Sequence, residues 1–387
     1  MARVLIGWEL GANTGHIVKL AGIARELAAR GHSPVLAVQQ IGACPPGLPV
    51  WQAPLWPLQL ATLLRSASFT PATMGDILAV LGLGDVSAMR ALIGGWDNIL
   101  AATRPDVVAA EFAPGLMMAA RGRAPTVALG TGFSLPPPHL PVFASLTGRP
   151  AVESEARLLD GLNIALAAND RASLDRLTAI FAADRTCVAA FREMDPYREW
   201  RPTGHGAPSV MPAPRVSTGQ GDELFVYMNG LGKWPNGFWQ GLADSRLPVR
   251  VHDPRLAEAD ARALEAAGFI VERTPVAFDD IVARSRLVLS HGGLGLASSC
   301  LLAGVPMAFV PFDIEKRMVA ASVVELGLGV RLDFEQVEAG RLAAMAREAF
   351  ADAAMGERAR AAAPGFRARM GRTCEQETVD VIEALAG

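Results

Sequence analysis

The chain has 387 residues, 51% of them hydrophobic and 19% charged, with a net charge of −3 and a pI near 6.1. That composition fills two or three domain cores, and its slight acidity argues against nucleic acid as the main partner. No stretch approaches ~18 apolar residues without a break, which argues against a spanning helix and leaves at most peripheral membrane contact. Cys44, Cys187, Cys300 and Cys374 lie far apart with no Cys-x-x-Cys, so neither a zinc site nor a disulfide frame is expected.

Val4-Leu5-Ile6 reads as a buried strand, and the loop after it carries Trp8, Glu9, Gly11, Gly15 and His16. The opening apolar run is too short for a signal peptide and meets Glu9 at once, so a cytoplasmic protein is expected. From 17 to 30, Leu20, Ile23, Ala24, Leu27 and Ala28 recur at helical spacing, and Gly31 closes the helix. Residues 35–38 form a second strand ending in Gln39-Gln40, where a dinucleotide-binding unit places an acid for the ribose. Neither residue is acidic and the glycines miss the G-x-G-x-x-G spacing, which argues against NAD.

Residues 41–100 are rich in Pro, Leu and Ala and hold Trp51, Trp56 and Trp96; they read either as helical core or as an apolar pocket wall. Residues 106–111 form a strand ending in Glu111, with a helix over 114–121. A strand at 126–129 then leads into Gly130-Thr131-Gly132-Phe133 and a stiff triple proline. Residues 155–183 read as helical. From Asp195 the composition turns to prolines and small residues without periodicity, and the linker is placed at 205–221.

The strand pattern restarts at 223–228 and ends in Asn229-Gly230-Leu231-Gly232-Lys233, with further strands near 249–251, 270–271 and 287–289. The last of these runs into Ser290-His291-Gly292-Gly293-Leu294-Gly295 and an Ala-rich helix closed by Gly304. A glycine turn between a strand and a helix start brings backbone N–H groups close to a ligand and favours an anion there, phosphate by default. Residues 305–311 read as the next buried strand. Asp279-Asp280, ahead of an apolar run, reads as a helix cap rather than a metal pair, so no metal is expected. Two halves of strand and helix alternation make an α/β chain of two doubly wound, Rossmann-like domains facing a cleft. Their expected bounds are 1–204 and 222–365, with 366–387 as a terminal segment.

Gly15-His16 ahead of a helix ending in Arg30-Gly31-His32, Arg273-Thr274-Pro275-Val276, His291-Gly292-Gly293, Gly304-Val305-Pro306 and Leu326-Gly327-x-Gly329 form an ordered set. With Phe191-Arg192-Glu193-Met194-Asp195-Pro196 ahead of the linker, the set resembles the nucleotide-sugar glycosyltransferases of GT-B fold. More narrowly, it is similar to the bacterial branch related to UDP-glucuronosyl and UDP-glucosyl transferases and to macrolide and glycopeptide glycosyltransferases. The resemblance implies an N-terminal acceptor-binding domain, a C-terminal nucleotide-sugar-binding domain and a helix within 366–387 that crosses back to the first.

The resemblance further implies that His16 is the general base, for which histidine suits because its ordinary pKa lies near working pH. It implies Glu111 as the acid that orients His16, where relatives usually carry Asp, with Glu9 as a rival. The resemblance puts the diphosphate at His291 and the backbone of Gly292 and Gly293, with Gly230 and Gly232 near the phosphates on the other side, and implies Arg273, Val276, Leu294 and Gly295 as further nucleotide-binding positions. Arg273 either stacks on the base or is a plain surface arginine. The family's ribose-binding Glu is Ser299 in this chain, and its acid-Gln pair for sugar hydroxyls is Glu315-Lys316. Trp8 and Phe133 are expected to contact the acceptor. The implied reaction is an inverting, metal-independent transfer of a hexose or deoxyhexose from a UDP or dTDP donor to a hydroxyl of a largely apolar small molecule. The nucleotide sugar is a co-substrate, and no cofactor is expected. Two alternatives stand beside it: a nucleotide-sugar 2-epimerase, which needs several carboxylates such as Glu9, Glu111 and Glu315, and a non-catalytic helper protein.

Overall fold

The computed structural model describes residues 1–11, 15–58, 70–210, 214–229 and 234–387. The chain forms two compact units: Met1–Ser209 together with Arg372–Gly387, and Val210–Gly371.

In the first unit, β1 (Arg3–Trp8), β2 (Ser33–Val38), β3 (Val50–Gln52), β4 (Val107–Glu111), β5 (Thr126–Gly130), β6 (Arg185–Ala189) and β7 (His205–Gly206) make a parallel sheet. Its order is β3-β2-β1-β4-β5-β6-β7. β1 and β4 are buried almost along their whole lengths, as central strands of a sheet covered on both faces must be. The order reverses at β1 and β4, which leaves a crevice at their carboxyl ends where such folds hold ligands. The register pairs Trp8 with Glu111 there.

The second unit repeats the plan with β8 (Glu223–Tyr227), β9 (Val249–His252), β10 (Ile270–Val271), β11 (Ser285–Ser290), β12 (Met307–Phe309) and β13 (Gly329–Arg331). Its order is β10-β9-β8-β11-β12-β13, again parallel throughout. The reversal falls at β8 and β11, where Tyr227 pairs with Ser290.

The C-terminal helix Cys374–Ala386 belongs to the first unit's core, where Val379 and Ile382 are fully buried beside Ile6, Leu20 and Leu27. Burying each of those two side chains contributes about 1.5–3 kcal/mol. The chain passes to this helix at Arg372, not at 366, because the helix Ala353–Arg367 continues with Phe366 buried in it.

Other expectations are corrected. Residues 155–183 are not one helix: Glu155–Ala167 ends before Asp170, which adopts left-handed backbone, and Leu177–Phe181 is a separate 3-10 turn. The expected linker begins with β7, which pairs with β6, and the boundary between units lies at Ser209 and Val210. Asp279 and Asp280 do not cap their helix; both lie in the first turn of Phe278–Arg284, where a negative charge favours the helix dipole. Among the described residues, 41–100 hold the helices Met74–Val80 and Val86–Thr103 and a short strand, and Trp56 and Trp96 are core. No helix of the described residues is long and apolar enough to cross a membrane.

Candidate active site

At the switch point of the first unit, β4 delivers Glu111 with none of its side chain exposed. The helix Gly15–Ala29 begins beside it, and His16 in its first turn meets the carboxylate, with Nδ1 2.7 Å from Oε2. An ionised carboxylate only accepts, so the histidine carries a proton on Nδ1, and in the neutral ring Nε2 is the unprotonated nitrogen. Lys19, one turn further on, donates from Nζ to the other oxygen at 2.6 Å. Burial alone would raise the Glu111 carboxyl, but the charges of His16 and Lys19 and their two hydrogen bonds hold it down at about 2.

The loop after β1 completes the setting. Trp8 is fully buried, donates from Nε1 to Leu10 O at 2.5 Å, and stacks on His16 with ring centroids 5.0 Å apart. This corrects the expectation that Trp8 contacts the acceptor, because a side chain with no exposed surface supports the histidine from behind. Gly11 has φ +95°, and a Cβ there would lie 2.5 Å from His16 Nε2. Gln39, the residue that spoke against NAD, donates its amide to Gly11 O and holds that loop. Phe133 is half-buried, edge-on to Phe112 at 6.4 Å, and Phe112 follows Glu111 in left-handed backbone.

Glu9 does not reach His16. Its buried carboxylate accepts from Trp56 Nε1 at 2.7 Å and from the amides of Gly115 at 2.9 Å and Leu116 at 2.5 Å, where the helix Pro114–Ala120 starts. Burial pushes its carboxyl up to about 7 in spite of those donors. Of the two candidate orienting acids, Glu111 is the one bonded to the histidine.

At the second unit's switch point, β11 ends in Ser290 and the helix Leu294–Ala303 starts after Gly293. Ser290 Oγ accepts from Gly292 N at 3.2 Å, and Gly292 has φ +95°. A Cβ on Gly292 would stand 2.8 Å from Lys316 O, so glycine is required by both backbone and space. His291 is buried between Tyr227 and Phe312, and its Nδ1 has no hydrogen-bond partner among the described residues. Burial, helped by the Lys316 charge, lowers its pKa to about 4, so the ring is neutral at physiological pH.

The remaining candidates are placed as follows. Leu294 is half-buried and Gly295 exposed in the first turn of that helix. Ser299 Oγ donates to Gly295 O at 2.9 Å. Lys316 is buried, with Nζ 2.7 Å from Glu315 Oε2 and 3.7 Å from Asp313; burial works against its charge, but the two acids outweigh it and raise its pKa. Arg273 is forked between Glu258 and Glu265 of the helix Glu258–Ala266. Val276 lines a cavity of about 230 Å³ with Phe225, Arg250 and Ile281. Gly230 and Gly232 lie outside the described residues. Sequence reasoning missed Lys19, Gly11 and Gln39; the available signal was a lysine three residues after His16 amid the buried positions Leu20, Ile23 and Leu27.

No family model matches the chain. The NDP-glycosyltransferase YjiC of Bacillus subtilis (strain 168) is 36% identical over 63 residues, so the match spans 16% of this chain and 16% of that relative. Three solved structures align over nearly the full length. The calicheamicin glycosyltransferase CalG4 matches with a TM-score of 0.70 at 21% identity, over 99% of this chain and 98% of its own. The kitacinnamycin glycosyltransferase matches at 0.69 and 17%, over 99% of both chains. The glycosyltransferase VinC, solved with dTDP, matches at 0.65 and 17%, over 99% of both. These likenesses establish the fold, two parallel-sheet α/β units of GT-B type.

Proposed function

We propose that the chain is an inverting glycosyltransferase that moves a hexose or deoxyhexose from a UDP or dTDP donor to a hydroxyl of a largely apolar small molecule. The observation that carries the reading is the His16 Nδ1 bond to the fully buried Glu111 at the β1–β4 switch point. A base needs a fixed tautomer and a counter-charge for the imidazolium it becomes, and this pair supplies both. Nε2 of His16 takes the acceptor's hydroxyl proton as that oxygen bonds to the anomeric carbon. The bond from that carbon to the β-phosphate oxygen breaks, and the electron pair leaves with the nucleoside diphosphate.

The departing diphosphate is assigned to the second unit, to the amides after Gly292 and the neutral His291. Fixed N–H donors at a helix start stabilise such charge without reorganising during the reaction. The thymidine diphosphate held by VinC and by the spinosyn rhamnosyltransferase SpnG supports a dTDP donor. So does Ser299, which is too short to bridge both ribose hydroxyls as a Glu would, so loss of the 2′-hydroxyl costs little here. The epimerase reading is weakened because Glu9 is engaged by Trp56 and two backbone amides.

A thermal-shift and product panel tests the proposal. At 100 times its Kd, UDP or dTDP should add about 2.7 kcal/mol of stability. Nucleoside diphosphate should then appear from a UDP- or dTDP-sugar when an apolar, hydroxyl-bearing acceptor is added. Failure of both nucleotides to bind would refute the reading.

A further inference from the structure

His16 uses one oxygen of Glu111; the other is taken by Lys19. We propose that Lys19 is a positioning residue that locks the Glu111 carboxylate and, by its charge, limits how strongly that carboxylate draws a proton onto His16. The kinetic part of this inference rests on the transferase reading; the rest does not.

Lys19 stands three residues after His16, so both project from one side of the helix toward β4. It is only 6% exposed, although its neighbours on that side, Leu20 and Ile23, are core. A buried ammonium is costly unless paired, and the partner at 2.6 Å is a carboxylate with no exposed surface. With a donor on each oxygen, Glu111 cannot rotate about its terminal bond without breaking a charge-assisted hydrogen bond.

The charge has a second effect. A carboxylate facing histidine alone stabilises the imidazolium and makes the ring a stronger but more readily blocked base. A fixed cation on the other oxygen offsets part of that negative charge and so weakens the field the carboxylate exerts on the imidazole. Among the described residues, the groups facing this cluster from packed elements do not replace that cation. From the C-terminal helix come Cys374, whose thiol Lys19 influences, and Glu375, whose side chain packs on Gly22. From β6 comes Cys187, next to Cys374, and Glu377 accepts from Ala207 N. From the loop after β1 comes Glu9, turned to the helix Pro114–Ala120.

The test is the titration of the His16 ring by NMR in the full chain, for the wild type, Lys19→Met, Lys19→Gln and Lys19→Arg, with kcat/KM against pH beside it. In K19M and K19Q the midpoint of ring protonation should move up by about one pH unit or more, a ~10-fold gain in proton affinity. The acid limb of kcat/KM should move with it, and K19R should return both toward the wild type. K19Q keeps a neutral donor for Glu111, so it reports on charge if K19M fails to fold. An unmoved or lowered midpoint in K19Q would overturn the proposal, as would a K19R that behaves like K19M. If no transferase activity is found, the NMR arm still decides the role of Lys19, so the two failures are distinct.

Discussion

Gly11 lies against the His16 ring so closely that a Cβ on it would stand 2.5 Å from Nε2. Its φ of +95° is also a backbone conformation that costs other residues about 1–3 kcal/mol. The expected result of Gly11→Ala is therefore a displaced base: turnover at least ~10-fold lower, the loss expected from 1.4 kcal/mol on the barrier, with nucleotide affinity unchanged. Steady-state kinetics beside calorimetry of UDP or dTDP checks this, and wild-type turnover in G11A would show that the ring does not need this opening.

Glu9 predicts a pH dependence of stability. Burial pushes its carboxyl up to about 7, well above the ordinary carboxylate range. A raised acid contributes stability that is fully present below the unfolded value and is lost as pH rises through the folded one. The first unit should thus lose stability between pH 4.5 and 7, and Glu9→Gln should flatten that slope. Denaturant titrations across this window measure it; an equal slope in E9Q would assign the dependence to other groups.

Much of this architecture was legible because central strands of parallel sheets are continuous apolar runs. Val4-Leu5-Ile6 and Leu287-Val288-Leu289 announce β1 and β11, and the glycine turn after Ser290 announces a helix start. The short strands β3, β7 and β13 have two or three residues and no pattern to read, so β7 is indistinguishable from linker in the sequence. His16 and Glu111 are named from the resemblance, and the structure brings the two side chains into hydrogen-bond contact. Lys19 was not, because a lysine in a helix ordinarily faces water, and only the depth of Glu111 explains why this one does not. Trp8 was not legible as buried, because its place depends on the bond to Leu10 O and the stacking on His16, neither of which leaves a sequence pattern.

His291 yields a prediction of opposite sign to Glu9. Its folded-state pKa is lowered to about 4 by burial and the Lys316 charge, so its contribution to stability is present above about 6.5 and lost as pH falls toward 4. His291→Gln should weaken this acid sensitivity while keeping a neutral donor. If the ring binds the diphosphate as an N–H donor, His291→Ala should weaken nucleotide binding ~10-fold or more, and H291Q less. Calorimetry at pH 7.5 compares them, and equal affinity in all three proteins would remove His291 from the donor site.

The central claim, that His16 is the base of a glycosyl transfer, is tested most directly by His16→Ala in the full chain. The measurement pairs turnover, read as nucleoside diphosphate released with sugar donor and acceptor present, with the Kd of the same diphosphate. Loss of a general base should lower turnover at least ~10²-fold. Because His16 belongs to the first unit and the diphosphate is assigned to the second, Kd should stay within about twofold of the wild type. Turnover undiminished in H16A, or a Kd weakened in step with the rate, would contradict the account.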